Sequence, residues 1–327
     1  MAESQYLGLR AYSFFIKKKN SSGHDKTYEL NTPFSLVVQS GDEEKTLSYN
    51  NAIELFEEFV SNNDQIDDKE ETKQLFSCTQ LDAGVSETEK FKYFFFAINA
   101  GYYGYASDLV DRISLKAVYK KTKDQADVKR FYAMVVVPKD HPKSKTTRGL
   151  LFFQEIGVYG VKTITSRAIQ SYFSNRLGLT FKTQNLAPDF YLKKIFDDGV
   201  LRKIKLGRNS VSRDPTDRLY GAGFGHEERV LTPLRVTKEI KDKLKYVSEA
   251  KYNCYTFEGI DYPDVRMEIS IGKRVRTINL HGIEELSVEE ALPDKLLLAD
   301  GTIDSEALKL HLIEVANEYI DHLPNSF

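Results

Sequence analysis

With 327 residues, 41% hydrophobic and 29% charged, the chain has the composition of a globular protein, long enough for two domains or one with a large elaboration. Its 46 Lys and Arg against 48 Asp and Glu leave a formal net charge of −2, and no apolar stretch nears the roughly 20 residues that span a bilayer. No membrane partner is expected, the opening MAESQYLGLR lacks the pattern of a secretory signal, and a cytoplasmic location follows as the expectation.

In chain order, Tyr6 to Ile16 and Tyr28 to Val38 are rich in aromatic and β-branched residues and are separated by the polar turn KKKNSSGHDK, which predicts a hairpin. Ile53, Phe56 and Val60 recur at helical spacing behind Asn50 and Asn51, which can cap an acidic surface helix; a solvated loop, SNNDQIDDKEETK, follows. Lys92 to Asn99, Ala117 to Lys121, Arg130 to Lys139 and Gly149 to Ile156 read as successive strands of an antiparallel meander. The period then changes to a helix with Val161, Ile164, Ala168 and Tyr172 as its apolar stripe, Ser166, Arg167, Gln170 and Ser174 opposite, and Gly178 as its stop.

A short strand, LTFKT, precedes a second helix between Pro188 and Gly199 and a strand LRKIKL. Residues 209–229, NSVSRDPTDRLYGAGFGHEER, have the composition of a linker, so the chain is expected to divide into an acidic α+β segment (1–90), a β-rich centre with a basic helix-strand-helix-strand segment (91–208), the linker, and a C-terminal α+β subdomain (230–327). In that last part, Thr237 can cap a helix through Ile240, Leu244 and Val247. Val265, Met267, Ile269 and Ile271 alternate with Arg266, Glu268 and Ser270, and Asp304 can open a helix whose stripe is Leu308, Leu312, Val315, Tyr319 and Leu323. The expected fold class is α+β, with a mostly antiparallel central sheet and helices on one face.

Charge is laid out in blocks. Residues 1–90 hold 9 basic and 17 acidic side chains, residues 143–208 hold 13 and 4, and residues 280–327 hold 2 and 11. The middle block places Lys162, Arg167, Arg176, Lys182, Lys193, Lys194, Arg202, Lys203, Lys205 and Arg208 on elements expected to lie close together. A cluster of this kind neutralises phosphates, so nucleic acid or another polyanion is the expected partner. The same charges are also satisfied if the block pairs with the acidic segments, within the fold or across a homo-oligomer or a protein partner.

Aromatic strands beside the block offer stacking platforms for unpaired bases. Arg148 to Phe153 approaches the strand signature of RNA-recognition sheets, with Leu150 where an aromatic belongs. For a metal-dependent nuclease, the only suggestive carboxylates are Asp108 with Asp111, and Asp264 with Glu268 ahead of Lys273. GAGFGHEER, with His226, Glu227 and Glu228, fits neither a dinucleotide fingerprint nor a P-loop. The histidines are scattered singly, and neither a nucleophile elbow nor a His-Glu-x-x-His motif is present. The two cysteines, Cys78 and Cys254, are too few for a disulfide framework or a metal cluster. No cofactor and no metal are assigned, and catalytic residues remain unknown.

The segment from Arg148 to Leu179, RGLLFFQEIGVYGVKTITSRAIQSYFSNRLGL, with its strand, Gly-x-x-Gly turn and amphipathic helix, resembles a segment of uncharacterised bacterial accessory-genome proteins, some from phage-defence islands. The resemblance implies a bacterial cytoplasmic protein that acts with partners against invading nucleic acid, and carries over no catalytic residue.

Overall fold

In a computed structural model the protein is α+β with a large antiparallel sheet. The structure describes residues 7–19, 25–40, 43–65, 67–69, 73–156, 159–186, 200–211, 224–232, 242, 255–271, 274–279 and 287–321. The chain divides into two compact units, a larger one of Tyr12–Gln184 with Asp294–Phe327 and a smaller one of Met1–Ala11 with Asn185–Pro293.

Three consecutive strands form the centre of the larger unit: Phe91–Tyr102, Asp127–Pro138 and Gly149–Ile156, each antiparallel to the next. Their sequences are near-continuous apolar runs because both faces are covered; Phe94 to Ile98, Ala133 to Val137 and Leu150 to Phe153 are all fully buried. One face, with Phe94, Phe96, Val135, Leu151 and Phe153, packs in a single core with helices α1 (Ile53–Ser61) and α2 (Lys162–Leu177). On the other face, Phe152 meets Tyr319 of α3 (Ser305–Ile320) edge to face, with ring centroids 5.8 Å apart. The C-terminal helix therefore belongs with the central strands rather than with a separate subdomain, and it sits across the sheet from the other two.

Several local expectations hold. Asp304 caps α3 by accepting from the backbone N–H groups of Glu306 and Ala307, and Leu308, Leu312, Val315 and Tyr319 are its buried stripe; Leu323 lies outside the described residues. Gly178 ends α2 in the left-handed conformation, with φ +64° and open space around it, so the turn needs the residue without a Cβ penalty. Val265, Met267 and Ile269 are buried along the strand Asp264–Ile271, while Arg266 is exposed.

Others are corrected. Phe34–Ser40 pairs with Glu43–Tyr49, and only the short strand Asp25–Thr27 returns on Leu7–Lys19, because residues 34–40 find an adjacent strand of matching length. Ala117–Lys121 leaves the meander and forms a two-stranded hairpin with Ser107–Val110. The buried stripe of α2 is Thr165, Ile169, Phe173 and Leu177, one position on from the expected one, because Phe173 rather than Tyr172 enters the core. Tyr172 stays at the rim, donating to Glu58 Oε1 at 2.9 Å, and Tyr49 donates to the other oxygen of the same carboxylate. Burial, then these contacts, push both tyrosine hydroxyls well above their usual range.

The expected linker is not a boundary between units. Val200–Val211 and Phe224–Leu231 pair in register from Ile204 with Leu231 to Val211 with Phe224, so both ends of that segment are strand. The smaller unit runs in the order Phe224–Leu231, Val200–Val211, Asp264–Ile271, Arg274–Asn279, Ser287–Ala291 and the start of Leu7–Lys19, with every neighbour antiparallel. The helices expected from Pro188 and from Thr237 fall outside the described residues, apart from a helical Asp242.

Packing at the sheet centre leaves no room for a methyl group at Gly149: a Cβ there would lie 2.3 Å from the Phe14 ring and 2.8 Å from the Val136 carbonyl oxygen. Gly149→Ala is expected to destabilise the protein by about 1–3 kcal/mol through overpacking, read as a lowered denaturation midpoint with an unchanged m-value.

Candidate polyanion-binding surface

Four of the ten basic residues lie in the larger unit, four in the smaller one, and Lys193 and Lys194 are outside the described residues. On α2, Arg167 points outward amid exposed Thr163, Gln170, Ser171 and Ser174, and the helix contains no carboxylate. Lys162 and Arg176 sit at its ends against rings: the Lys162 ammonium is 5.2 Å from the Tyr12 centroid, and the Arg176 guanidinium 5.6 Å from that of Tyr172. Arg176 is also 3.6 Å from Glu58.

Lys182 is on the strand Thr180–Asn185, where Phe181 enters the core with Phe173 and Phe14. Strand alternation turns exposed Lys182 and Gln184 to the face opposite α2. On that face stands the half-buried Phe15 ring, with the Lys17 ammonium 5.4 Å and the Arg148 guanidinium 5.5 Å from its centroid. Arg148 donates to Gln184 Oε1 at 3.0 Å, tying the three strands that carry the cluster. Phe15 and Lys17 were not legible as site residues, since only the pairing of Leu7–Lys19 with Thr180–Asn185 puts them on a strand next to the one that carries Lys182.

A cavity of about 300 Å³, lined by Lys18, Lys26, Tyr28, Glu29 and Phe34 among others, lies where Asp25–Thr27 returns on the same strand. Burial pushes the Tyr28 hydroxyl above its usual range there.

In the smaller unit three of the four cations are compensated. Lys203 faces Glu268 across the ladder, and that carboxylate lies 3.6 Å from Lys203 and 3.8 Å from Lys205. Arg208 is opposite Glu227, donates to it through Nε at 2.7 Å, and covers the Tyr262 ring at 5.5 Å. Arg229 approaches the other oxygen of Glu227 at 3.1 Å and reaches Glu258 at 2.9 Å. Arg202 is exposed, with no ion pair among the described residues.

Among the described residues the carboxylates of the catalytic alternatives are engaged elsewhere. Glu268 serves the two lysines, Asp264 pairs with Arg266 at 3.0 Å, and the Asp111 carboxylate accepts the Ser114 N–H within its own turn. Among the described residues no three His, Cys, Asp or Glu side chains are placed to hold a metal ion. Lys273 and the first residues of GAGFGHEER are outside the described residues. The strand aromatics Phe94 to Phe96, Phe152 and Phe153 are fully buried and offer no stacking surface. No described helix is long and apolar enough to cross a membrane.

Comparisons with protein-family models, with curated proteins and with solved structures return no match to this chain.

Two outcomes test the charge compensation. Glu268→Gln is expected to free Lys203 and Lys205 and move elution from heparin to higher salt, with stability changed by less than about 1 kcal/mol because the pair is solvent-exposed. Arg208, then Arg229, hold the Glu227 carboxyl below its usual 4.5. Its stabilising contribution is thus present above that value and lost as pH falls through the lower folded one; Glu227→Gln should remove this part of the acid dependence of the thermal midpoint.

Proposed function

We propose that the protein binds nucleic acid through backbone charge and base stacking, without reading sequence and without catalysing a reaction. The observation that carries this is the Phe15 ring with Lys17 and Arg148 over it, Arg148 being bonded to Gln184 on the strand that also carries the exposed Lys182. Both cations lie over the ring, so a base that stacks on Phe15 takes the place of one of them and moves it towards an adjacent phosphate, which joins stacking to charge as a single strand requires. The carboxylate-free outer face of α2, with Arg167 among hydroxyl and amide donors, suits further phosphate contacts that position without specifying. A bacterial antiviral setting remains part of the proposal, resting on the resemblance of Arg148 to Leu179 alone.

Charge and stacking are separable by experiment. Anisotropy titrations of a fluorescent single strand across a salt series are expected to give a linear fall of log K with log salt. Lys182→Glu should weaken binding at low salt by roughly tenfold and lower the slope by about one. Phe15→Leu keeps the apolar volume and removes the π face, so it should cost about 1–3 kcal/mol of binding with the slope unchanged. No binding by the unaltered protein at low salt, or two variants that bind as well as it does, would overturn the reading.

A further inference from the structure

Among the described residues, the exposed apolar side chains are concentrated around one arm. Nine of the fourteen large hydrophobic residues that are exposed among the described residues fall between Tyr102 and Val128. Their centre is the hairpin of Ser107–Val110 and Ala117–Lys121, where Leu109 is 57%, Val110 54%, Val118 67% and Tyr119 47% exposed, and whose turn carries Ile113 at 89% and Leu115 at 78%. The register sets Tyr119 beside Leu109 on one face and Ala117 beside Val110, so apolar side chains occupy more than one side.

The arm is nonetheless built. Its turn is closed by the Asp111 and Lys116 backbones and by the Leu115 N–H to the Asp111 carbonyl at 2.8 Å. At its root the Gly104 N–H donates to the Lys123 carbonyl at 2.7 Å, and the buried Lys121 ammonium lies 3.7 Å from the Tyr105 ring centroid.

A two-stranded hairpin with both edges open is marginal in water, and stability comes with a third strand and a cover for its apolar side chains. Among the described residues neither outer edge is paired. We propose that this arm is a homodimerisation element, in which the Ala117–Lys121 edges of two copies pair antiparallel about a two-fold axis at Tyr119 to make a four-stranded sheet.

Charge selects this arrangement. Antiparallel pairing about Tyr119 sets Val118 against Lys120 and Ala117 against Lys121 of the second copy, and Leu115 and Lys116 against Lys123 and Thr122, so no like charges are opposed. Parallel pairing would oppose Lys120 to itself. Joining Ser107–Val110 of one copy to Ala117–Lys121 of the next would leave a free edge at each end and propagate, whereas the two-fold pairing closes. The six apolar side chains present several hundred Å², and the strand backbones and lysine stems bring the patch towards the roughly 800 Å² per partner of a stable interface. The proposal does not depend on nucleic-acid binding.

The test is sedimentation equilibrium of the full chain over a concentration series in the absence of nucleic acid. A dimer is expected, with self-association weakened about thirtyfold or more by Tyr119→Lys, since a central aromatic is replaced by a charge. Unchanged circular dichroism and thermal midpoint would show that the variant folds. Because a two-fold at Tyr119 sets that residue against itself, Tyr119→Cys in a Cys254→Ser background should cross-link into a covalent dimer under mild oxidation, while Ser107→Cys on the far edge should not; Cys78 is buried and does not compete.

A monomer at all concentrations, a dimer indifferent to Tyr119→Lys, or equal cross-linking from both cysteine positions would overturn the proposal. Sedimentation of a monomer with phosphatidylglycerol vesicles, lost on Tyr119→Lys, would overturn it in favour of a lipid surface as the occupant.

Discussion

Phe56 is the point on which the larger unit turns. Its ring lies 5.1 Å from Phe14 of the sheet, 5.4 Å from Phe173 of α2 and 5.8 Å from Phe181 of the strand that follows α2. All four side chains are almost completely buried, and tilted and edge-to-face pairs of this kind add about 0.5–1.5 kcal/mol each beyond the area they remove from water. In a chain with no Trp and only three Met, close packing falls to phenylalanines, which fill volume in fewer conformations. That rigidity explains why Gly149 must remain a glycine and why Phe173 displaces Tyr172 from the core: a phenol cannot enter such a cluster without a partner for its hydroxyl.

With Thr165, Ile169, Phe173 and Leu177 inward, Arg167 stays on the outer face of α2, as its place opposite the expected stripe already implied, and Lys162 and Arg176 stand near the helix ends, each against a ring. Tyr172, kept at the rim, joins Tyr49 in holding Glu58, so the carboxylate nearest to Arg176 is already engaged. The choice between two adjacent aromatic residues thereby decides what Glu58 is bonded to beside Arg176.

What the sequence revealed was mostly local. The Asp304 cap, the Gly178 stop and the stripe of α3 depend on residues a few positions apart, and the three central strands announce themselves through runs that only two-sided burial allows. Partnering was less accessible. Phe34–Ser40 has the composition to pair with Leu7–Lys19, and its actual partner is Glu43–Tyr49, the strand nearest to it in sequence. The basic block was visible as a sum, but whether a lysine is free is a cross-strand property: Glu268 lies far from Lys203 in sequence and directly opposite it in the ladder. Phe15 was invisible for the same reason, since Arg148, which lies over its ring, and Gln184, which holds Arg148, are more than 130 residues away in sequence.

Local rules and global fold usually agree, and where they part, function is the place to look. In the smaller unit they agree: the basic strand Val200–Val211 is flanked by strands that bring Glu227 and Glu268 to its cations, and the charges close on themselves. In the larger unit they part twice. Phe15 keeps a ring only partly buried, with two cations over it, although the same strand buries Tyr12, Phe14 and Ile16. The Ser107–Lys121 hairpin leaves Leu109, Val110, Ile113, Leu115 and Val118 exposed. A near-neutral chain whose cations meet carboxylates in one unit and lie over an aromatic ring in the other is therefore better described by where its charges are placed than by their sum.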